Sequence, residues 1–268
     1  MIHPRLSVDA MCSFPWSFHQ DLALWTDMGV RHAGLLISKL GDDPQTNMAR
    51  LTAAGIRCST LITESFELRE PYSWGNTQAS HRAAIDLVAK YGGHSIYFTP
   101  GRTTCISWAE DLKRLADAVA PTVAYARAKG VLAAIEPSLR TSVSFVNTLR
   151  DAIDVAELTG VGLIADFGNM WMERDFAETL SRAMPHIALM QIGDVVIGST
   201  GRPSPGGRVH IGQGELPLPR MMQDVLDAGY MGVFDLEVVG PNFAAGCDEQ
   251  ALRRGIGAAS ALLTDMGI

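Results

Sequence analysis

Four side chains with oxygen donors each close a run of apolar residues. Glu136 follows Val131-Leu132-Ala133-Ala134-Ile135, and Asp166 follows Val161-Gly162-Leu163-Ile164-Ala165. Gln191 ends Ile187-Ala188-Leu189-Met190, with Asp194 three residues on, and Glu237 ends the run from Val233 to Leu236. Donors of this kind suit a hard divalent cation better than a thiolate-seeking metal. Three carboxylates in one apolar cup repel one another and lose hydration, and a bound cation offsets both costs. The four cysteines (Cys12, Cys58, Cys105, Cys247) are scattered without a Cys-x-x-Cys pair, so neither a zinc knuckle nor a disulfide frame is expected. Taken singly, each oxygen donor is an ordinary strand-end residue that bonds to a loop. They become a site only if the fold brings them together.

The chain alternates short β-rich runs with longer stretches of helical spacing. The expected strands are Leu6–Met11, His32–Ser38, Arg57–Thr63, His94–Thr99, Val131–Glu136, Val161–Asp166, His186–Ile192 and Gly232–Val238. The expected helices are Phe18–Met28, Pro44–Ala54, Ser80–Lys90, Trp108–Lys129, Thr148–Leu158, Asp175–Ala183, Leu218–Ala228 and Asp248–Thr264. Asp43 before Pro44 reads as a helix start, Ser107 with Glu110 as a capping box, and Pro121 as a kink or break. Several strands are almost wholly apolar, as in parallel sheets covered by helices on the outer face. Eight β–α units without a composition break predict one α/β domain over residues 1–268, a single (β/α)8 TIM barrel. An open doubly wound sheet would carry a Gly-rich turn after its first strand, where this chain has Met11-Cys12-Ser13-Phe14-Pro15-Trp16. In a barrel, the carboxyl ends of strands five to eight deliver Glu136, Asp166, Gln191 and Glu237 to one mouth.

Composition narrows the function. The 268 residues carry 22 Lys+Arg against 29 Asp+Glu, a net charge of −7, and 47% are hydrophobic. Disorder is excluded. The acidic balance, with no basic run, argues against nucleic acid as a partner. No apolar stretch is long enough for a membrane span, and the N-terminus lacks a signal-peptide core. The expectation is a cytoplasmic protein with reduced thiols and a small-molecule substrate; self-association into a homo-oligomer is left open.

Several segments resemble the xylose isomerase-like TIM barrels, the sugar phosphate isomerase/epimerase group. They are Ala134-Ile135-Glu136-Pro137 with Phe145-Val146-Asn147-Thr148, Ile164-Ala165-Asp166-Phe167-Gly168 and Met190-Gln191-Ile192-Gly193-Asp194. Gly212-Gln213-Gly214-Glu215-Leu216 and Asp235-Leu236-Glu237 add to them. The resemblance covers essentially the whole chain and is specific for fold and metal site, not substrate. It implies one divalent ion (Mn2+, Mg2+ or Co2+) held by Glu136, Asp166, Gln191 and Glu237. It also implies chemistry at a carbon next to a carbonyl, with Glu136 and Glu237 doubling as catalytic groups. The family's ketose epimerases generally have His where Gln191 stands; Gln is similar to the branch that dehydrates 3-dehydroshikimate or inosose. Many members have a His three residues after the strand-six Asp, where this chain has Asn169, an amide that cannot accept a proton.

The segment Gly193–Glu215 is long for a βα connection and contains Arg202 and Arg208, whose planar forks suit a carboxylate, phosphate or polarised oxygen. Arg208 precedes the Gly-x-Gly turn as a substrate-contacting Arg does in relatives. His210, in the same loop, is the candidate base outside the ligand set. His94 opens a strand at the opposite end, and His19 and His81 fall at helix starts. Asn169 is placed against the substrate. Trp16, Trp74, Trp108 and Trp171 all follow strands, and Trp16 and Trp171 are taken as substrate contacts, which points to a cyclic or aromatic-linked substrate.

The functional expectation is a metal-dependent isomerase/epimerase acting by proton abstraction, the alternative being a metal-dependent dehydratase (lyase). A non-catalytic binding subunit and a DNA-repair endonuclease are the remaining readings. The nuclease is disfavoured by only seven histidines and the net negative charge.

Overall fold

The computed structural model describes residues 1–197, 207–238 and 248–268, so Arg202 and Cys247 lie outside the described residues. Eight parallel strands close into a barrel: β1 (Leu6–Asp9), β2 (His32–Leu36), β3 (Arg57–Ile62), β4 (Ser95–Phe98), β5 (Leu132–Ile135), β6 (Gly162–Asp166), β7 (Ile187–Ile192) and β10 (Phe234–Leu236). β10 pairs with both β1 and β7, which closes the circle. A two-stranded antiparallel ribbon, β8 (Asp194–Val195) with β9 (Arg208–Val209), interrupts the long connection after β7, where only loop was expected.

Described helices α1 (Phe18–Met28), α2 (Pro44–Ala53), α3 (Trp74–Lys90), α4 (Trp108–Lys129), α5 (Leu149–Thr159), α6 (Phe167–Met170), α7 (Phe176–Ala183), α8 (Leu218–Asp227) and α9 (Glu249–Asp265) surround the barrel. Local chemistry sets their ends. Asp43 accepts the Thr46 N–H at 3.1 Å with Pro44 in the first turn, and Ser17 with Gln20 forms a full capping box. Ser107 caps α4 by accepting the Glu110 N–H, but the Glu110 carboxylate turns to Arg114 at 2.8 Å, so only half of the expected box forms. α4 also runs unbroken through Pro121, correcting the expected break. Proline removes one hydrogen bond there, while Ala118, Val119, Thr122 and Val123 around it are buried against the barrel and hold the helix together. α3 begins six residues before the expected Ser80.

The main core lies between strands and helices. A second, small cluster of Tyr97, Ala134, Ile164, Ala188 and Leu189 fills the barrel itself. Side chains two apart on a strand share a face, so the inward rows continue upward from this plug: Ala134 to Glu136, Ile164 to Asp166, Leu189 to Gln191. That pleat raises the oxygen donors at the carboxyl-end mouth above an apolar floor.

Candidate active site

Glu136, Asp166 and Glu237 converge at the mouth, each offering a carboxylate oxygen, with these atoms all within 4.8 Å of one another. All three side chains are buried. Burial foremost, then the charges of Glu237 and Asp166, push the Glu136 carboxyl well above the usual range. Glu237 is pushed up in the same direction, first by burial and then by the charges of Asp166 and Asp9.

Two residues tie the acids together. The Asn169 amide donates to Glu136 Oε1 at 2.8 Å and to Asp166 Oδ2 at 2.9 Å. Arg208, 2% exposed, forks onto both oxygens of Asp166, with Nη1 at 3.1 Å from Oδ1 and Nη2 on Oδ2. Gly168 makes this approach possible, because a Cβ there would lie 2.5 Å from Arg208 Nε. Asp166 also accepts the Gly168 N–H, and so starts α6.

Gln191 pairs in register with Asp166 on one side and Asp235 on the other. Its Nε2 donates to Tyr97 Oη at 3.3 Å and to Asp235 Oδ2 at 3.4 Å, while its Oε1 is enclosed without a hydrogen-bond partner. Tyr97 Oη in turn donates to Glu237 Oε1 at 3.4 Å. Beside Gln191, Asp235 accepts from Ser7 Oγ at 2.5 Å and faces Asp9, whose Oδ2 is likewise enclosed. The Asp9 carboxyl is pushed up by burial and then by Asp235, so the two hold together when one carries a proton.

The three carboxylates and Arg208 sum to −2 when ionised, which one divalent cation balances, and the enclosed Gln191 Oε1 is a donor without a partner. Glu136, Asp166 and Glu237 therefore fit an oxygen-ligated divalent ion, and Gln191 Oε1 is an oxygen near them that the protein leaves unengaged.

A cavity of about 140 Å3 opens above this group. Glu136, Glu237, Asn169 and Arg208 form one side of it. Hydroxyls of Thr63, Ser65, Thr99 and Ser138, together with Arg140, Met11 and Ile62, form the rest. The sequence reading missed Arg140 and the hydroxyl wall. Arg140 stands four residues after Glu136, in the loop that any strand-five site must include, and that nearness was the available signal.

Other expected site residues lie elsewhere. The His210 ring packs on Gly255 of α9, where an added Cβ would lie 2.8 Å from its Cε1, and it does not line the cavity. Burial, then the charge of Arg254, holds its imidazole toward the neutral form. Trp16 lies in a groove with Gln20, Asp27 and Arg253. Trp171 packs against the main core with its Nε1 enclosed. Trp74 donates to Glu67 O and Trp108 packs edge-on against Phe145. The expected aromatic face for a ring-bearing substrate is thus corrected. These tryptophans seat loops on the rim, and the cavity wall carries hydroxyls instead. His81 is also a core residue, stacked on Phe98. Asp194, three residues after Gln191, accepts the backbone N–H groups of Val195, Gly212, Gly214 and Leu216.

Among the described residues, no helix is long and apolar enough to cross a membrane. No curated protein matches the chain in sequence. Solved structures do match in fold. A protein, SMc04130, from Sinorhizobium meliloti 1021 superposes with a TM-score of 0.85 at 20% identity over 96% of this chain and 98% of the other. The IolI protein with a bound zinc atom gives 0.83 at 20% identity over 99% and 98%. D-Psicose 3-epimerase from Clostridium cellulolyticum H10, solved with D-tagatose, gives 0.77 at 18% identity over 99% and 98%. The family model described as xylose isomerase-like TIM barrel matches residues 28–262, and the chain belongs to that family.

Proposed function

We propose that this chain is a divalent-metal-dependent enzyme that moves a proton at the carbon next to the carbonyl of a small hydroxy-ketone, as an isomerase or epimerase. The observation that carries the reading is the meeting of three buried carboxylates, Glu136, Asp166 and Glu237, at the floor of a cavity. Glu136, Asp166, Gln191 and Glu237 would hold Mn2+, Mg2+ or Co2+. The bound ion would supply positive charge to the carbonyl oxygen as the neighbouring carbon loses its proton.

The protein's own groups divide the remaining work. Glu136 and Glu237 both line the cavity, so both reach a substrate's C–H or hydroxyl, and one takes the proton that the other can return. Asn169 cannot be the base, because its amide donates to Glu136 and Asp166. It fixes where those carboxylates stand. Arg208 holds Asp166 in place and also lines the cavity. The enclosure of the acids strengthens every charge interaction with the reacting atoms.

A second reading, a dehydratase, is favoured by one residue: Gln191, where resemblance leads to the lyase branch. Both reactions begin with the same proton removal and differ in whether a hydroxyl then leaves.

The test is elemental analysis for a stoichiometric divalent ion, followed by proton NMR in D2O with a panel of hydroxy-ketones, keto-sugars and dehydroshikimate. The expected result is exchange at one carbon, with loss of water if the lyase reading holds. A protein that binds no divalent metal, and whose turnover is unchanged in Glu237→Ala, refutes the proposal.

A further inference from the structure

Two arginines line the cavity, and they are differently engaged. Arg208 is committed to Asp166 by a two-pronged ion pair. Arg140 makes no ion pair with any described carboxylate, although it lines the same cavity and its charge is felt by both Glu136 and Glu237. Its backbone is set by its own N–H donating to Ser138 Oγ at 3.3 Å. On the wall built from the ends of β3 and β4, Ser65 Oγ and Thr99 Oγ1 are hydrogen-bonded to each other at 2.6 Å.

Arg140 is half-buried on the cavity wall, and among the described residues it is the cavity arginine that no acid pairs. A guanidinium held beside a cavity and not engaged by a carboxylate of the protein is available to an anionic ligand. The planar fork of Arg matches a carboxylate in two parallel hydrogen bonds. With Glu136 and Glu237 on the same cavity wall, a singly charged anion meets less repulsion than a phosphate dianion. The volume, about 140 Å3, is close to that of an engineered cavity of about 150 Å3 that binds benzene, so the ligand is small.

We infer that the substrate is a small polyhydroxylated carboxylate, whose carboxylate pairs with Arg140 while its hydroxyls meet the Ser65 and Thr99 wall. This rests on the proton-transfer reading of the site and narrows its substrate class from sugars in general to sugar acids and hydroxy-keto acids.

The test uses a matched inert pair, threonate and threitol, which differ by a carboxylate against a hydroxymethyl group. Both are titrated calorimetrically into the Mn2+-loaded full-length protein, with Mn2+ affinity measured on the same samples. Threonate is expected to bind at least about ten-fold more tightly than threitol. Arg140→Leu should erase that difference while threitol affinity holds and Mn2+ is bound no less tightly; Arg140→Lys should keep part of the preference. Equal binding of the pair by the wild-type protein overturns the inference. So does Arg140→Leu weakening both ligands alike or losing Mn2+, since either marks Arg140 as structural. Inorganic phosphate binding more tightly than threonate overturns the carboxylate assignment. Failure of the metal reading is seen separately, as absence of Mn2+ binding with or without a threonate preference.

Discussion

Asp194 pins the segment that follows β9, and its removal should unfasten Arg208 from the site without unfolding the barrel. Its carboxylate is 2% exposed and accepts four backbone N–H groups: Val195 at 2.9 Å, Gly212 at 3.0 Å, Gly214 at 3.0 Å and Leu216 at 3.2 Å. In Asp194→Ala the Gly212 and Gly214 donors lie where water can reach them, but Val195 and Leu216 are buried. Each buried donor left unpaired costs about 1–3 kcal/mol, so the loss is about 2–6 kcal/mol. The ribbon that Asp194 anchors pairs Val195 with Arg208, so opening it withdraws the guanidinium from Asp166. The cost falls on a local segment, whose opening requires less free energy than global unfolding. Hydrogen exchange followed by mass spectrometry should show peptides over 207–216 exchanging at least about 30-fold faster in Asp194→Ala, with β4 to β6 unchanged. Asp194→Asn, which keeps one acceptor oxygen, should fall between. Gly214→Ala should mimic the alanine variant, because its Cβ would lie 2.5 Å from Asp194 Cγ and 2.7 Å from Val195 N. Unchanged exchange across 207–216 in Asp194→Ala would refute the reasoning.

Three further outcomes follow from the same geometry. Saturation with Mn2+ at about 100 times its dissociation constant should stabilise the protein by about 2.7 kcal/mol, and chelation should reverse this; calorimetry should find the gain abolished in Glu237→Ala. Gly34→Ala should destabilise by about 1–3 kcal/mol, seen as a lower melting temperature, since the new Cβ would stand 2.8 Å from Asp9 Cγ and 3.1 Å from Asp235 Oδ2. Asp21, buried and paired with Lys39 at 2.7 Å, has its carboxyl pushed up to about 6, burial outweighing the lysine. Between pH 4 and 6, to about a unit, the folded chain therefore binds more protons than the unfolded one, so this group's contribution to stability falls as pH rises and levels off above. Denaturant titrations should show that slope, about 2–3 kcal/mol in all, flattened in Asp21→Asn.

Much of the barrel was legible because its signal is periodic. A strand buried on both faces must be apolar along its length, and a polar residue at its carboxyl end stands out against that background. Glu136, Asp166 and Glu237 were found this way, and they do meet at one mouth. Helix ends were legible where one side chain decides them, as at Asp43 and Ser107. Of the kink or break expected at Pro121, the break does not occur, because local propensity is outweighed by burial on either side of it.

The sequence by itself determined the alternation, the charge and the chemical kind of the site, since these depend only on residue type and spacing. Only the tertiary structure decided partners. Residue type does not distinguish Asp194, which holds a distant backbone segment, from Asp166, which joins the acidic cluster; the difference lies in what reaches each carboxylate, residues 212–216 in one case and Arg208 in the other. The same holds for the arginines. Arg208 reaches Asp166 because Gly168 leaves room, whereas Arg140 lines the same cavity without an ion pair to any described carboxylate. Partnership of that kind is a property of distances between residues far apart in the chain, and folding alone sets those distances.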